Sequence, residues 1–236
     1  SSLLVPRFEQ AETNISFVNH FFIKRNIQDV SLKVTAVNKN GQIIDSITYE
    51  IDEPKVYSLF LDEMFSDKSL TSLYIVEFFS GKNLFIPFPA VIINHIGVDF
   101  TNSVHSYNRI LNDIFEDDEI NRNHVRESSF DVLIDDNHDT FFNLVSGPFE
   151  IDDNLEISLR NEERTLESRL DISQKRLSAS NYFLGDLITK EVKENISAKQ
   201  YSDQATILPP KQNLFYGRLL LGVMNKKTNA FSANHS

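Results

Sequence analysis

The sequence predicts an all-β chain, folded as two tandem antiparallel β-sandwich domains joined by a short connecting helix. Three observations carry that prediction. Apolar and polar residues alternate in short runs such as VSLKVTAVN, where Val30, Leu32, Val34 and Ala36 fall on one face. Turn-forming residues separate the runs at the spacing of an antiparallel sandwich. Finally, the chain repeats itself. NLFIPFPAVIINHIGVDFTNSVHS from Asn83 and NLFYGRLLLGVMNKKTNAFSANHS from Asn213 both open on Asn-Leu-Phe and close on His-Ser.

Taken in order, the chain opens with SSLLVPRFEQ, which has neither a basic stretch nor an apolar stretch of a secretory leader. LVPR resembles a protease-site remnant of an expression vector, and a mature or trimmed product is expected. The first clear strand is 30–38. Asn38 to Gln42 follows as a hairpin turn, because Asn-Gly accepts positive φ, and IIDSITYEI resumes the strand pattern. KVYSLFLDEMF reads as a strand running into a short helical turn. SLYIVEFFS, NLFIPFPAVIIN and VDFTNSVHSYN complete the set. Pro87 and Pro89 cannot donate ladder hydrogen bonds, so their strand should begin at an edge or carry a bulge. Ile110, Leu111, Ile114 and Phe115 share a helical face and predict the connecting helix, with the domain boundary near Asn123. The first copy is then 1–123 and the second 124–236.

The second copy repeats the plan. Phe17 matches Phe142, Val30 matches Leu155, Leu32 matches Ile157, Val34 matches Leu159, Ile47 matches Ile172, Tyr57 matches Tyr182 and Leu59 matches Leu184, all 125 residues apart. From Asn83 and Asn213 onward the separation is 130. An insertion of five residues between Tyr182 and Asn213, in a polar loop, accounts for the step. The period is that of tandem domains, not of a solenoid. The chain ends at His235-Ser236, where the first copy continues into Tyr107, so the last strand is expected to be cut short.

Composition narrows function mainly by exclusion. With 236 residues and 41% apolar content, the chain can bury the core of one large or two ordinary domains. It has no cysteine, hence no disulfide, thiolate metal site or thiol nucleophile. A net charge of -11 opposes binding to duplex nucleic acid or to an anionic membrane surface. No apolar run approaches the roughly 18 residues of a membrane span. Glycine-rich phosphate loops and nucleophile elbows are absent, and no cofactor is expected. Composition does not set a compartment.

The candidate ligand-binding residues are His105, Ser106, Tyr107, Asn108 and Arg109, with His235 at the matching position of the second copy. Imidazole, hydroxyl, amide and guanidinium groups together can hold a polyhydroxylated ligand through several hydrogen bonds. The competing reading is that a histidine present in both copies buttresses a strand end. His20 and His95, each preceded by Asn at the end of an apolar segment, are further candidates. No close His-x-His or Glu-x-x-His spacing supports a metal site, and none is assigned. The acidic runs FEDDE, LIDDNHD and EIDDN lack a calcium-loop register and read as solvated turns. Ser106 and His105, adjacent in a strand, point to opposite faces and cannot act as nucleophile and base on each other. No catalytic residue is assigned.

The segment FVNHFFIKRNIQDVSLKVTAVNKNGQIIDSITYEIDEPKVYSLFLDEMF resembles bacterial β-sandwich modules similar to the sensory rhodopsin transducer. A strand ending in Asn precedes a Gly turn, and a later strand leads into an L-x-x-x-F segment. The likeness covers about two thirds of each copy, and NEERTLE in the second copy lacks the Gly. It implies a sandwich with a binding or assembly role and transfers no catalytic residue. The expectation is a non-catalytic binding module, most plausibly for carbohydrate. The alternative is a structural protein that associates through a sandwich edge or an apolar face, with a protein partner or as a homo-oligomer.

Overall fold

A computed structural model describes residues 1–82, 90–106, 109–110, 128–147, 150–160, 165–188, 204–208 and 219–235. The alternating segment becomes β3 (Val30–Asn38), with Val30, Leu32, Val34 and Ala36 buried. At its end the Asn38 side-chain oxygen accepts from the backbone of Asn40 and Gln42, at 2.9 and 3.0 Å. Gly41 has φ 74°, and β4 (Ile43–Ile51) returns with Ile47 opposite Val34. That hairpin is the one expected from Asn-Gly.

Two antiparallel sheets make the first sandwich. Sheet I has the order β4–β3–β6–β1–β9, adding β6 (Thr71–Ser80), β1 (Ser2–Pro6) and β9 (Arg109–Ile110). Sheet II has the order β5–β2–β7–β8, from β5 (Val56–Phe60), β2 (Glu12–Val18), β7 (Val91–Ile96) and β8 (Thr101–His105). Leu3, Leu32, Val34 and Phe78 of sheet I meet Ile15, Phe17, Val91 and Ile93 of sheet II in one core. The expected helical turn follows β5 as a 3-10 turn, Leu61–Glu63. A short helix, α1 (His20–Arg25), follows β2, with the Asn19 side chain accepting from the Phe22 backbone N–H.

The opening segment is part of this core. Leu3, Leu4 and Val5 are buried in β1, which lies between β6 and β9. Just beyond it, Arg7 donates to the carboxylate of Asp62 at 2.5 Å. Asp62 is fully buried and also accepts from the Thr13 backbone N–H and the Tyr74 hydroxyl. Burial and that carboxylate push the Tyr74 hydroxyl far above its ordinary pKa. Ile110 is a correction to the helix expected there. It stands in β9 opposite Ser2, so it is a strand residue and not the first turn of a connecting helix. Leu111, Ile114, Phe115, the boundary at Asn123, and Pro87 and Pro89 lie outside the described residues.

Two further sheets follow. Sheet III has the order β13–β12–β15–β10, from β13 (Thr165–Gln174), β12 (Ile151–Arg160), β15 (Gln204–Leu208) and β10 (Ser128–Asp131). Sheet IV has the order β14–β11–β16–β17, from β14 (Ala179–Phe183), β11 (His138–Val145), β16 (Leu220–Asn225) and β17 (Phe231–His235). A helical turn, α2 (Leu184–Leu187), follows β14 as the 3-10 turn follows β5. Leu155, Ile157 and Leu159 of sheet III face Phe142, Leu144 and Leu221 of sheet IV in a separate core.

The strand order of sheets III and IV repeats that of β4–β3–β6–β1 and β5–β2–β7–β8. The repeat extends to packing. Phe17 stacks on Tyr57 at 5.4 Å and stands opposite Val91; Phe142 stacks on Tyr182 at 5.0 Å and stands opposite Leu221. The separation is therefore 125 residues in the first two strands and 130 in the third, as the five-residue insertion requires. Two registers differ. Leu159 pairs with Leu166, and Ile172 with Asp153, so the second hairpin is shorter than the match of Ile47 to Ile172 implies. His105 pairs with Ile92 but His235 pairs with Leu220, a slip of two residues.

The halves are not separate bodies joined by a bare linker. The outer face of sheet IV, carrying Phe141, Met224, Phe231 and Ala233, joins the core of the first sandwich through Phe8 and Phe100. Leu4, Leu73 and Ile75 on the outer face of sheet I also pack with Val145 and Leu177. Here Gly41 is required for closeness as well as for its φ, since a Cβ would lie 2.0 Å from the Arg176 carbonyl oxygen.

Candidate functional site

Period-two geometry sorts the residues of sheet II between interior and outer face. In β2, Thr13, Ile15 and Phe17 point inward, which leaves Ser16 and Asn14 on the outer face, Asn14 itself covered by its neighbours and only 2% exposed. In β7 and β8 the outward residues are Ile92 and Asn94, and Thr101, Ser103 and His105. The polar ones join into a row that crosses all four strands. Asn14 donates to Ser58 at 3.1 Å, Asn94 donates to Asn14 at 3.0 Å, and Ser103 donates to Asn94 at 2.7 Å. Ser16 donates to Asn14 at 3.1 Å. Beside the row, Val18, Val56 and Ile92 expose an apolar strip on the same face.

The matched face of sheet IV has the opposite character. Ser16 corresponds to Phe141, Asn94 to Met224, Thr101 to Phe231 and Ser103 to Ala233. There the face is apolar and buried against the first half; in sheet II it carries the polar row beside the exposed Val18, Val56 and Ile92. The same sheet position thus serves for packing in one half and is left with hydrogen-bonding groups in the other.

The row leads into a groove of about 570 Å³ where β8 and β17, the end strands of sheets II and IV, come together. Thr101, Asn102 and Ser103 line one side; Ser232, Ala233 and Asn234 line the other, with Phe130 and Asp131 at the base of β10. The Asn102 side-chain oxygen accepts from the Ala233 backbone N–H at 2.8 Å, tying the two edges. Its amide nitrogen is buried and has no partner among the described residues. Gly222 lets β16 and β17 close up along this groove, since a Cβ would sit 2.3 Å from the Ser232 oxygen.

Of the histidine-centred candidates, the structure brings together His105 and His235, whose Nε2 atoms meet across the junction. His95 does not join them. It points into the first sandwich, fully buried, with Nε2 on the Pro6 carbonyl at 3.2 Å and Phe8 and Phe231 packed on the ring. Burial pushes its pKa down to about 4, so it is a neutral core residue at pH 7. His20 opens α1 with its ring against Phe21, and desolvation lowers its pKa. Ser106 donates its backbone N–H to Val91, continuing the β8 edge. Arg109 lies in sheet I opposite Leu3, and Tyr107 and Asn108 lie outside the described residues. Sequence reading passed over Asn14, Ser16, Asn94 and Ser103. The alternation in NISF carried the signal, because Asn14 and Ser16 share one parity and Ile15 and Phe17 the other.

In the run LIDDNHD, Asp135 accepts from the Asn137 and His138 backbone N–H groups, and the former is the main cause of its lowered pKa. That is a local turn. Among the described residues no three histidine, aspartate or glutamate side chains converge as a metal cluster. Among them, too, no helix is long and apolar enough to cross a membrane.

No family model and no curated protein matches the chain. Solved structures with some likeness include Bacteroides uniformis beta-glucuronidase 2 covalently bound to cyclophellitol-6-carboxylate aziridine, at 11% identity and a TM-score of 0.19. Another is Bacteroides uniformis beta-glucuronidase, at 10% identity and a TM-score of 0.16. Each alignment covers 100% of this chain and 25% of the other, so the chain spans about a quarter of their length. TM-scores this low carry no argument about fold or function.

Proposed function

We propose that the protein is a non-catalytic binding module for carbohydrate, with the outer face of sheet II and the adjoining groove as its surface. The observation that carries this reading is the row Ser58–Asn14–Asn94–Ser103. Amides and hydroxyls offer donors and acceptors without charge, which suits the alternating hydroxyls of a sugar. The neighbouring strip of Val18, Val56 and Ile92 offers apolar surface to the C–H face of a ring. The matching strand orders and stacked Phe–Tyr pairs support descent from a duplicated sandwich, one copy keeping a polar row on this face and the other using it for docking.

The test is a glycan array probed with the intact protein and with Asn94→Ala plus Ser103→Ala. The reading expects binding to a defined glycan class by the wild type and at least a tenfold loss in the double variant, with an unchanged thermal midpoint. An array without binding, or equal binding by the variant, refutes it.

A second reading is favoured by one observation. β4 is an edge strand of nine residues exposed along most of its length, and Ile43 is 68% exposed. An open edge of this kind is a template for pairing with another strand. On that reading the protein assembles through β4, and sedimentation shows an oligomer that Ile47→Pro dissociates.

A further inference from the structure

β4 ends sheet I, and among the described residues no strand pairs with its free side. The matching terminal strand of sheet III, β13, carries Glu167, Arg169 and Asp171 through its middle, charges that discourage pairing. β4 carries no charge over residues 46–49, and Ser46, Thr48 and Tyr49 are exposed there. We propose that two copies of this chain join by antiparallel pairing of β4 with β4, Thr48 facing Thr48 across a two-fold axis. The proposal rests on the edge-strand reading above and gives it a partner and a register.

Three features fix that register. The first is the direction of the backbone. Antiparallel pairing alternates residues whose N–H and C=O face the neighbouring strand with residues whose groups face away. The Asn38 N–H donates to the Gln42 carbonyl at 2.9 Å, so Asn38 faces β4. Counting back by twos, Ala36, Val34, Leu32 and Val30 face it too, as do their partners Asp45, Ile47, Tyr49 and Ile51 in return. Ser46, Thr48 and Glu50 therefore present their backbone groups to the free side. The Ser46 N–H agrees, for it is met by the Asp45 carboxylate at 2.7 Å.

The second feature is a bulge. Ala36 pairs with Asp45 but Val37 with Ile43, so Ile44 is an extra residue that interrupts the edge. Residues 45–51 remain regular, and Thr48 is their midpoint. The third is the match of side chains. A two-fold at Thr48 sets Ile47 opposite the partner's Tyr49 and Ser46 opposite the partner's Glu50. Aromatic residues pair well with β-branched ones across strands, and like charges opposite one another do not. Here Asp45 falls opposite the partner's Ile51, so no two carboxylates face each other. A two-fold at Ile47 would run the pairing through the bulge, and one at Tyr49 would draw the two Glu50 side chains together.

The axis stands perpendicular to the joined sheet, and the two five-stranded sheets become one. Sheet II of each copy then lies on the same side, so the dimer presents two equivalent outer faces in one direction.

The experiment uses the intact protein, and the absence of cysteine makes introduced thiols the only ones. Wild type is sedimented over a concentration series, and single-cysteine variants are oxidised and run without reductant. The expected result is a concentration-dependent dimer that Thr48→Asp weakens at least tenfold. Thr48→Cys forms a disulfide-linked dimer, because directly opposed Cα atoms stand about 5.5 Å apart, within disulfide reach. Ser46→Cys alone and Glu50→Cys alone stay uncross-linked, since in this register each stands about 13 Å along the strand from its own copy. An equal mixture of those two cross-links. A wild type that sediments as a monomer throughout overturns the proposal and the edge-strand reading together. A dimer in which Thr48→Cys fails to cross-link, or in which Glu50→Cys cross-links as readily alone as in the mixture, overturns this pairing while assembly itself stands. Circular dichroism of each variant separates a lost contact from a lost fold.

Discussion

Acidification should weaken this protein through one buried ring. His95 is fully buried, and its surroundings come from every side: the Pro6 carbonyl, Phe8, Phe231 from the other half, and the charge of Asp62 beyond. Desolvation is the leading cause of its low pKa, with the Pro6 hydrogen bond and Asp62 opposing it. Its pKa of about 4 in the fold compares with 6.5 in the unfolded chain. Above pH 6.5 the ring is neutral in both states and costs nothing. As pH falls from there toward 4 the unfolded chain takes up the proton first, so stability is lost through that window and levels off below it. At about 1.4 kcal/mol per pKa unit the loss comes to about 3 kcal/mol. Carboxylates titrate in the same range, so the informative quantity is the difference between wild type and His95→Gln, which keeps a donor for Pro6. Urea unfolding at a series of pH values gives it. The wild-type advantage should shrink by about 3 kcal/mol between pH 7 and pH 4. A difference that stays flat would mean that the ring is solvated, and that Phe231 does not close over it.

Other perturbations probe the packing. Asp62→Asn leaves the Arg7 guanidinium, only 9% exposed, without its counter-charge, and should cost about 3–5 kcal/mol in urea unfolding; a loss under 1 kcal/mol would show the pair to be hydrated. Gly222→Ala drives a methyl group against Ser232 and Ala233, and should cost about 1–3 kcal/mol while displacing the β17 resonances. An unchanged Tm for that variant would contradict the close pairing of β16 with β17.

Much of the fold was legible where a strand has one wet face. β3 and β4 follow the alternation of their residues, and the Asn-Gly turn sits between them. The helical turns after β5 and β14 were also readable, because an apolar strand there runs into Leu with acidic neighbours. β1 was not. Its five residues are buried on both faces, so SLLVP shows no period and reads as an accident of the terminus. Ile110 misled for a related reason. Apolar residues three and four apart fit a helix, yet backbone pairing with β1 decides the local structure.

The candidate site was less legible than the fold. Histidine draws the eye because its chemistry is versatile, but parity along β7 sends His95 inward, while His105 on β8 points outward. The amide row uses Asn and Ser, which in a sequence read as turn formers. Only the register of four strands shows that Asn14, Asn94 and Ser103 stand in line. The difference between the halves was visible letter by letter, as Ser16 against Phe141 and Asn94 against Met224. It acquires meaning only once both residues are seen on outer faces.

Where a bound sugar rests can be observed directly by titrating ¹⁵N-labelled protein with the glycan class selected on the array. Side-chain amide shifts concentrated at Asn14 and Asn94, with backbone shifts at Ser103, are the predicted outcome. Shifts along β4 instead, or spectra that do not move at saturating sugar, would contradict a binding surface on sheet II.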